Sequence, residues 1–119
     1  MKSETYQDLS ASKYLALPIL KADTFSLRAF GLLRYRKPPP FGLWLTPCNA
    51  IHTWGMNYAI DLVWLDKNHQ VLGIQHALKP WRFCSCPTAK SVIELPEGHL
   101  RKHPIQLNQS LEILCAASS

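Results

Sequence analysis

Asn49, His52, Thr53, Asp61, Trp81 and Arg82 are the side chains best suited to binding or proton chemistry in this chain. Asp61 is the most informative of them. It lies in Ala59-Ile60-Asp61-Leu62-Val63-Trp64-Leu65-Asp66, which alternates as a strand does. Ile60, Leu62 and Trp64 share one face, and Asp61, Val63 and Leu65 the other, so Asp61 points into an apolar layer. A carboxylate there is costly unless paired or hydrogen-bonded. Its candidate partners are His52, Thr53, Asn49, Arg82 and backbone amides of the preceding loop. Either Asp61 pins that loop as an acceptor, or it joins His52 and Arg82 in a pocket as a binding or acid–base group.

Glu94 repeats the question, since it shares a strand face with Val92. Two such carboxylates can serve as an acid–base pair in glycoside-type hydrolysis. Cys48, His52, Cys84 and Cys86 are the right ligand types for zinc, but a single residue separates Cys84 from Cys86, against the usual two to four or so. Zinc is therefore the alternative, and no metal or cofactor is assigned. A disulfide from Cys48 to Cys84 or Cys86 would tie the His52 loop to the Trp81 loop; the ordinary reading is small buried thiols. Cys115 is read as unpaired. A cysteine nucleophile with His52 as base lacks any glycine-framed elbow.

The charge distribution raises a different chemistry. The net charge is +5, and no acidic residue occurs between Asp23 and Asp61. That interval holds Arg28, Arg34, Arg36, Lys37 and His52 among many aromatics. Bases stacking on aromatics, with phosphates on arginine, is how single-stranded nucleic acid is held. Helical spacing assigns Phe25 and Phe30 to the core and strand phase does so for Trp64. Tyr35, Phe41, Trp44, Trp54 and Tyr58 remain as surface candidates. The Pro38-Pro39-Pro40 run reads as a loop rather than a docking peptide.

Several segments occur in a telling order: Ile51-His52-Thr53-Trp54-Gly55-Met56, then Ala59 to Asp66, then Leu78-Lys79-Pro80-Trp81-Arg82, then Val92-Ile93-Glu94-Leu95-Pro96-Glu97-Gly98. Upstream, Thr24-Phe25 and Gly31-Leu32-Leu33 fit the same scheme. From about Tyr14 to Leu114 the chain resembles domain of unknown function 192, a bacterial and archaeal family, in its branch with an I-H-T-x-G-M segment. The resemblance implies a compact β-rich barrel or sandwich and no established activity. Two departures stand out. Asn68-His69 replaces the family's Asp-Gly hairpin turn, which asks one of them to accept positive φ. Asn108-Gln109 replaces Gly-Asp before the last strand.

The elements that must position these residues follow from punctuation and period. Residues 1–13 are polar and read as a loose N-terminal segment, with one domain over 14–119. Tyr14–Lys21 reads as an edge strand because of Pro18. Asp23 or Thr24 caps a short helix from Phe25 that the prolines end. Phe41–Leu45, Ala59–Asp66 and Gln70–His76 are strands, the last two joined by the turn Asp66–His69. Apolar residues on both faces make Ala59–Asp66 central. Ser91–Leu95 is a strand, Pro96 to about His103 a short helix, and Ser110–Leu114 the closing strand. Gly55 permits a turn, and Met56 fills core space. The sum is a mainly β, compact single-domain β-barrel or β-sandwich with one or two short helices.

Composition agrees: 119 residues, 47% hydrophobic and 18% charged, suit one folded domain. No apolar run approaches the ~18 residues of a membrane span. The start of the chain is a poor signal peptide, so a cytoplasmic location is expected. The first functional reading is a non-catalytic accessory module that binds a small ligand or a protein partner through a polar pocket around His52, Asp61 and Arg82. The alternative is a hydrolase-type enzyme using His52 and Asp61 with Glu94 or a cysteine. The third is a single-stranded nucleic-acid binder.

Overall fold

The computed structural model describes residues 6–10, 15, 17–22, 31–111 and 114–115. Among them nine strands form two sheets: β1 (Tyr6–Ser10), β2 (Ile19–Ala22), β3 (Gly42–Leu45), β4 (Ala50–His52), β5 (Ile60–Leu65), β6 (Val71–Leu78), β7 (Phe83–Ser85), β8 (Ser91–Pro96) and β9 (Leu114–Cys115). Seven strands make one sheet in the order β6-β5-β8-β3-β2-β1-β9, and β4 pairs with β7 in a separate ribbon. All pairings are antiparallel except β2 with β3. Among the described residues the large sheet is not closed into a barrel; the bridge from Gln70 to Ser110, with backbone bonds from Val71 N to Gln109 O (2.8 Å) and from Leu111 N to His69 O (3.0 Å), links its β6 side to the segment that leads into β9.

Alternation along the central strands divides the core in two. Val63 and Leu65 of β5, Ile93 and Leu95 of β8 and Trp44 of β3 pack on one face. Ile60, Leu62 and Trp64 of β5, Val92 of β8 and Leu43 and Leu45 of β3 pack on the other. Every residue of β5 is buried, as expected of a strand covered on both sides. The β5–β6 hairpin turns at Asp66–His69 as anticipated. His69 takes φ 63°, and Asp66 Oδ1 accepts from the amides of Asn68 (2.7 Å) and Gln70 (2.9 Å). Asn108 likewise takes φ 68° in place of glycine before the last strand.

Several expectations are corrected. Tyr6–Ser10, assigned to a loose terminus, forms β1 and pairs with both β2 and β9. Strand pairing uses backbone groups, which leave no trace in a polar sequence. β2 starts just after Pro18 and lies between β1 and β3, so it is internal rather than an edge. Proline is tolerated there because it precedes the ladder, where its carbonyl still accepts from Gly42 N (2.9 Å). The ribbon β4–β7 was not anticipated, because strands of three residues are too short to show a period. Most of the helix expected from Phe25 lies outside the described residues; Gly31–Arg34 is a 3-10 turn. The second helix is a single turn, His99–Lys102.

Candidate functional site

The two buried carboxylates do the same work on opposite sides of the sheet. Asp61 is 1% exposed. Its Oδ2 accepts from Leu100 N (3.0 Å) and its Oδ1 from Ala77 N (2.8 Å). Leu100 is the second residue of the helical turn whose N-cap is Gly98, a residue with no side chain to offer, so a strand residue 39 positions earlier supplies the cap. Ala77 sits at φ 48° where the β5–β6 register slips, and the bulge frees the amide that Asp61 takes up. Two bonds to a charged acceptor, each worth about 1.5–3 kcal/mol, offset a desolvation cost of several kcal/mol. The partners are backbone amides, as one reading of the sequence holds, but from later segments rather than the preceding loop.

Glu94 faces the other way, since Leu62 of the second core layer is its register partner. Glu94 Oε1 accepts from Leu32 N (3.0 Å) in the 3-10 turn. Gly31, at φ +47°, makes this approach feasible, because a Cβ there would stand 2.7 Å from Glu94 Oε1. Burial pushes the Glu94 carboxyl up to about 7, with the Leu32 amide opposing. Tyr58 donates to the carbonyls of Leu32 (2.9 Å) and Tyr35 (3.2 Å), and its phenol is pushed up to about 12 by burial and by Glu94. A sheet therefore separates Asp61 from Glu94. They cannot flank one scissile bond, which removes the geometry that a paired-carboxylate hydrolase needs.

His52, Thr53, Trp81 and Arg82 do come together, at one end of the β4–β7 ribbon. Thr53 is fully buried and every polar atom it has is used. Its hydroxyl donates to Lys79 O (2.6 Å) and accepts from Arg82 N (2.9 Å). Its amide donates to Arg82 O (2.8 Å), and its carbonyl accepts from Trp81 N (3.0 Å) and Met56 N (3.1 Å). Trp81 and Arg82 thus oppose one residue, a β-bulge whose first position is left-handed and ordinarily glycine. Trp81 occupies it at φ 63°, at a cost of about 1–2 kcal/mol for a residue with a Cβ. Asp61 contributes at one remove, by holding the Ala77 bulge from which the chain runs to Lys79 and Trp81.

The outer face of this ribbon end is aromatic. His52 and Phe83 are directly opposed, so they share a face, while Ile51 and Cys84 pair on the inner side and pack on the second core layer. The Trp54 ring stacks on His52 at 4.5 Å and 23°, and Trp54 N donates to His52 Nδ1 (3.3 Å). Trp81 is 66% exposed, Phe83 63% and Trp54 52%. Of the surface aromatics anticipated from the sequence, Trp54 alone is open. Trp44 is buried, Tyr35 packs edge-on against Phe41, and Tyr58 is held by its two carbonyls. Phe83 was missed. Its clue was the company of Trp81 and Arg82 in a stretch with no acid.

That second stretch completes the electrostatics. No acidic residue occurs between Asp66 and Glu94, just as none occurs between Asp23 and Asp61. β4 belongs to one interval and β7 to the other, so the ribbon and its loops are acid-free on both strands. Lys79, Arg82 and Lys90 are exposed along it. Asn49 lies at the far end, where Pro47, Cys48, Asn49, Ala89 and Lys90 line an open cleft of about 270 Å³.

Cys48, Cys84 and Cys86 are thiols rather than half-cystines. Cys115's side chain lies outside the described residues. Burial raises the Cys84 thiol despite a Trp64 hydrogen bond, and neighbouring Cys86 adds to the rise. This is the reverse of the depressed value a nucleophile needs. Among the described residues no three His, Cys, Asp or Glu side chains group to hold a metal ion, so the four potential zinc ligands are not assembled. Nor, among the described residues, is any helix long and apolar enough to cross a membrane.

Comparison with known proteins gives the fold and the family. A crystal structure described as "a putative transcription regulator", from Sinorhizobium meliloti 1021, matches with TM-score 0.72 and 17% identity over 82% of this chain and 81% of that one. A protein of unknown function from Novosphingobium aromaticivorans DSM 12444 matches with TM-score 0.72 and 13% identity over 90% and 84%. UPF0127 protein PF1050 of Pyrococcus furiosus is 29% identical over 111 residues, covering 88% of this chain and 94% of its own. The family model DUF192 (uncharacterized ACR, COG1430) matches residues 8–113. The sequence resemblance therefore holds over residues 8–113, and the chain belongs to the DUF192 family.

Proposed function

We propose that this protein is a non-catalytic binding module whose contact surface is the outer face of the β4–β7 ribbon, not a pocket centred on Asp61. The observation that carries this reading is Trp81, a large aromatic left in solvent on a backbone conformation that glycine would adopt more cheaply. Strain of this kind persists where the surrounding structure over-determines it, and it clusters at ligand clamps. Trp54 and Phe83 beside it give the size and rigidity that binding anchors favour. Asp61 and Thr53 act as positioning residues behind that face.

The four tryptophans supply the test. Each gives one indole N–H resonance, and Trp44 and Trp64 are buried where Trp54 and Trp81 are open. Titration with a panel of oligonucleotides, oligosaccharides and acidic peptides is expected to shift the Trp54 and Trp81 resonances and leave Trp44 and Trp64 in place. A panel that moves none of them, or all of them equally, removes the ribbon face as the binding surface.

A further inference from the structure

We infer that the occupant of this face is a single-stranded nucleic acid, its bases stacked on Trp54, Trp81 and Phe83 and its phosphates met by Lys79, Arg82 and Lys90. The inference rests on the binding reading above and adds the chemical class of ligand.

Three features of the ribbon point the same way. The first is charge. The ribbon draws each strand from an acid-free interval, and the fold's two inner carboxylates, Asp61 and Glu94, are buried away from it. A cationic strip of this kind selects an anionic partner and disfavours an acid-poor one. The second is shape. Trp81 and Phe83 are largely open to solvent and Trp54, stacked on His52, is half open, so the ribbon end offers flat aromatic surface to planar rings, and every base has such a face whatever the sequence. A duplex hides its bases in the stack, so a single strand fits where a duplex does not. The third is length. From the cleft at Asn49 to Trp54, five residues on, the chain spans about 16 Å at roughly 3.3 Å per residue, with Lys90 at one end and Arg82 at the other. That is room for a short run of nucleotides, its backbone following the cations and its bases turned to the rings. Neither half is enough alone: aromatics without cations fit a neutral sugar, and cations without aromatics fit any polyanion.

Anisotropy of labelled oligothymidylate and oligouridylate of about 12 nucleotides tests this on the full chain. Binding of one or both is expected at low salt, the two arms separating DNA from RNA. Affinity should fall roughly tenfold for a fourfold rise in salt, as two or three phosphate contacts predict. Arg82→Ala should flatten that slope by about 0.7. Trp81→Ala should weaken binding roughly tenfold or more, the range for loss of one stacked base. Trp81→Gly should do the same while melting no lower than the parent, which separates lost stacking from lost fold. No binding of either oligonucleotide at low salt overturns the inference. So does equal binding of a duplex, or of inorganic polyphosphate with Trp81→Ala unaffected, since the rings would then be idle. If an oligosaccharide or acidic peptide shifts the Trp54 and Trp81 resonances and no oligonucleotide does, the nucleic-acid assignment fails and the ribbon remains a binding face. If nothing shifts them, both readings fall.

Discussion

Asp61 and Glu94 sit a strand apart on opposite faces of one sheet, and each caps a short helical turn from a distance. Asp61 uses both oxygens, on Leu100 N and Ala77 N. Glu94 uses one among the described residues, on Leu32 N, and burial raises its carboxyl to about 7. The two sites demand different acceptor capacity. The Asp61 site needs two acceptors, which only a carboxylate of that length supplies. The Glu94 site, on the amide recorded there, is served by one, which a neutral side chain supplies as well.

Substitution sharpens this contrast. Asp61→Ala leaves the buried amide of Leu100 and the part-buried amide of Ala77 without acceptors and should destabilise the fold by roughly 3–4 kcal/mol, at 1–3 kcal/mol per group. Asp61→Asn should be nearly as damaging, since its NH2 faces an N–H; urea unfolding measures both. If Asp61→Asn costs less than about 1 kcal/mol, the two-acceptor account is wrong.

Glu94 should behave oppositely. Its folded pKa lies above its unfolded value, so its contribution is complete below about 4.5 and is lost as pH rises through about 7. The loss is on the order of 3 kcal/mol for a shift of this size. Glu94→Gln keeps an acceptor for Leu32 N, so it should remove that pH dependence and melt above the parent at pH about 8. Parallel pH profiles for parent and variant would falsify the assignment.

The smallest effect lies in the ribbon, where stability is given up instead of gained. Trp81→Gly should raise stability by about 1 kcal/mol by relieving the left-handed backbone, less the extra entropy glycine carries unfolded. A clear loss of stability would show that the Trp81 ring packs for the fold rather than for a partner.

How legible was this in the sequence? β5 was, because apolar residues at five of its six positions, on both faces, mark it as a covered central strand. Its turn was too, and His69 accepts positive φ as the missing glycine requires. Asp61 was placed in an apolar layer with two readings open, and its partners were not legible, because Leu100 and Ala77 reach it only through the helical turn and the bulge. Of the six candidate site residues, His52, Thr53, Trp81 and Arg82 meet at one end of the ribbon, while Asp61 stands behind them and Asn49 beyond them. β1, β4 and β7 were invisible. Their pairing is carried by backbone bonds, and a strand of three to five residues without strict alternation has no period to detect.

The class of fold, the two-faced central strand, the excess of positive charge and the family follow from composition, local period and residue order. That Asp61 and Glu94 lie on opposite faces, that Thr53 pins a bulge with Trp81 in the glycine position, and that two separate acid-free intervals meet in one ribbon are consequences of the folded chain. Those facts depend on register and on contacts between segments far apart in the chain, where a shift of one residue sends every side chain of a strand to the other face.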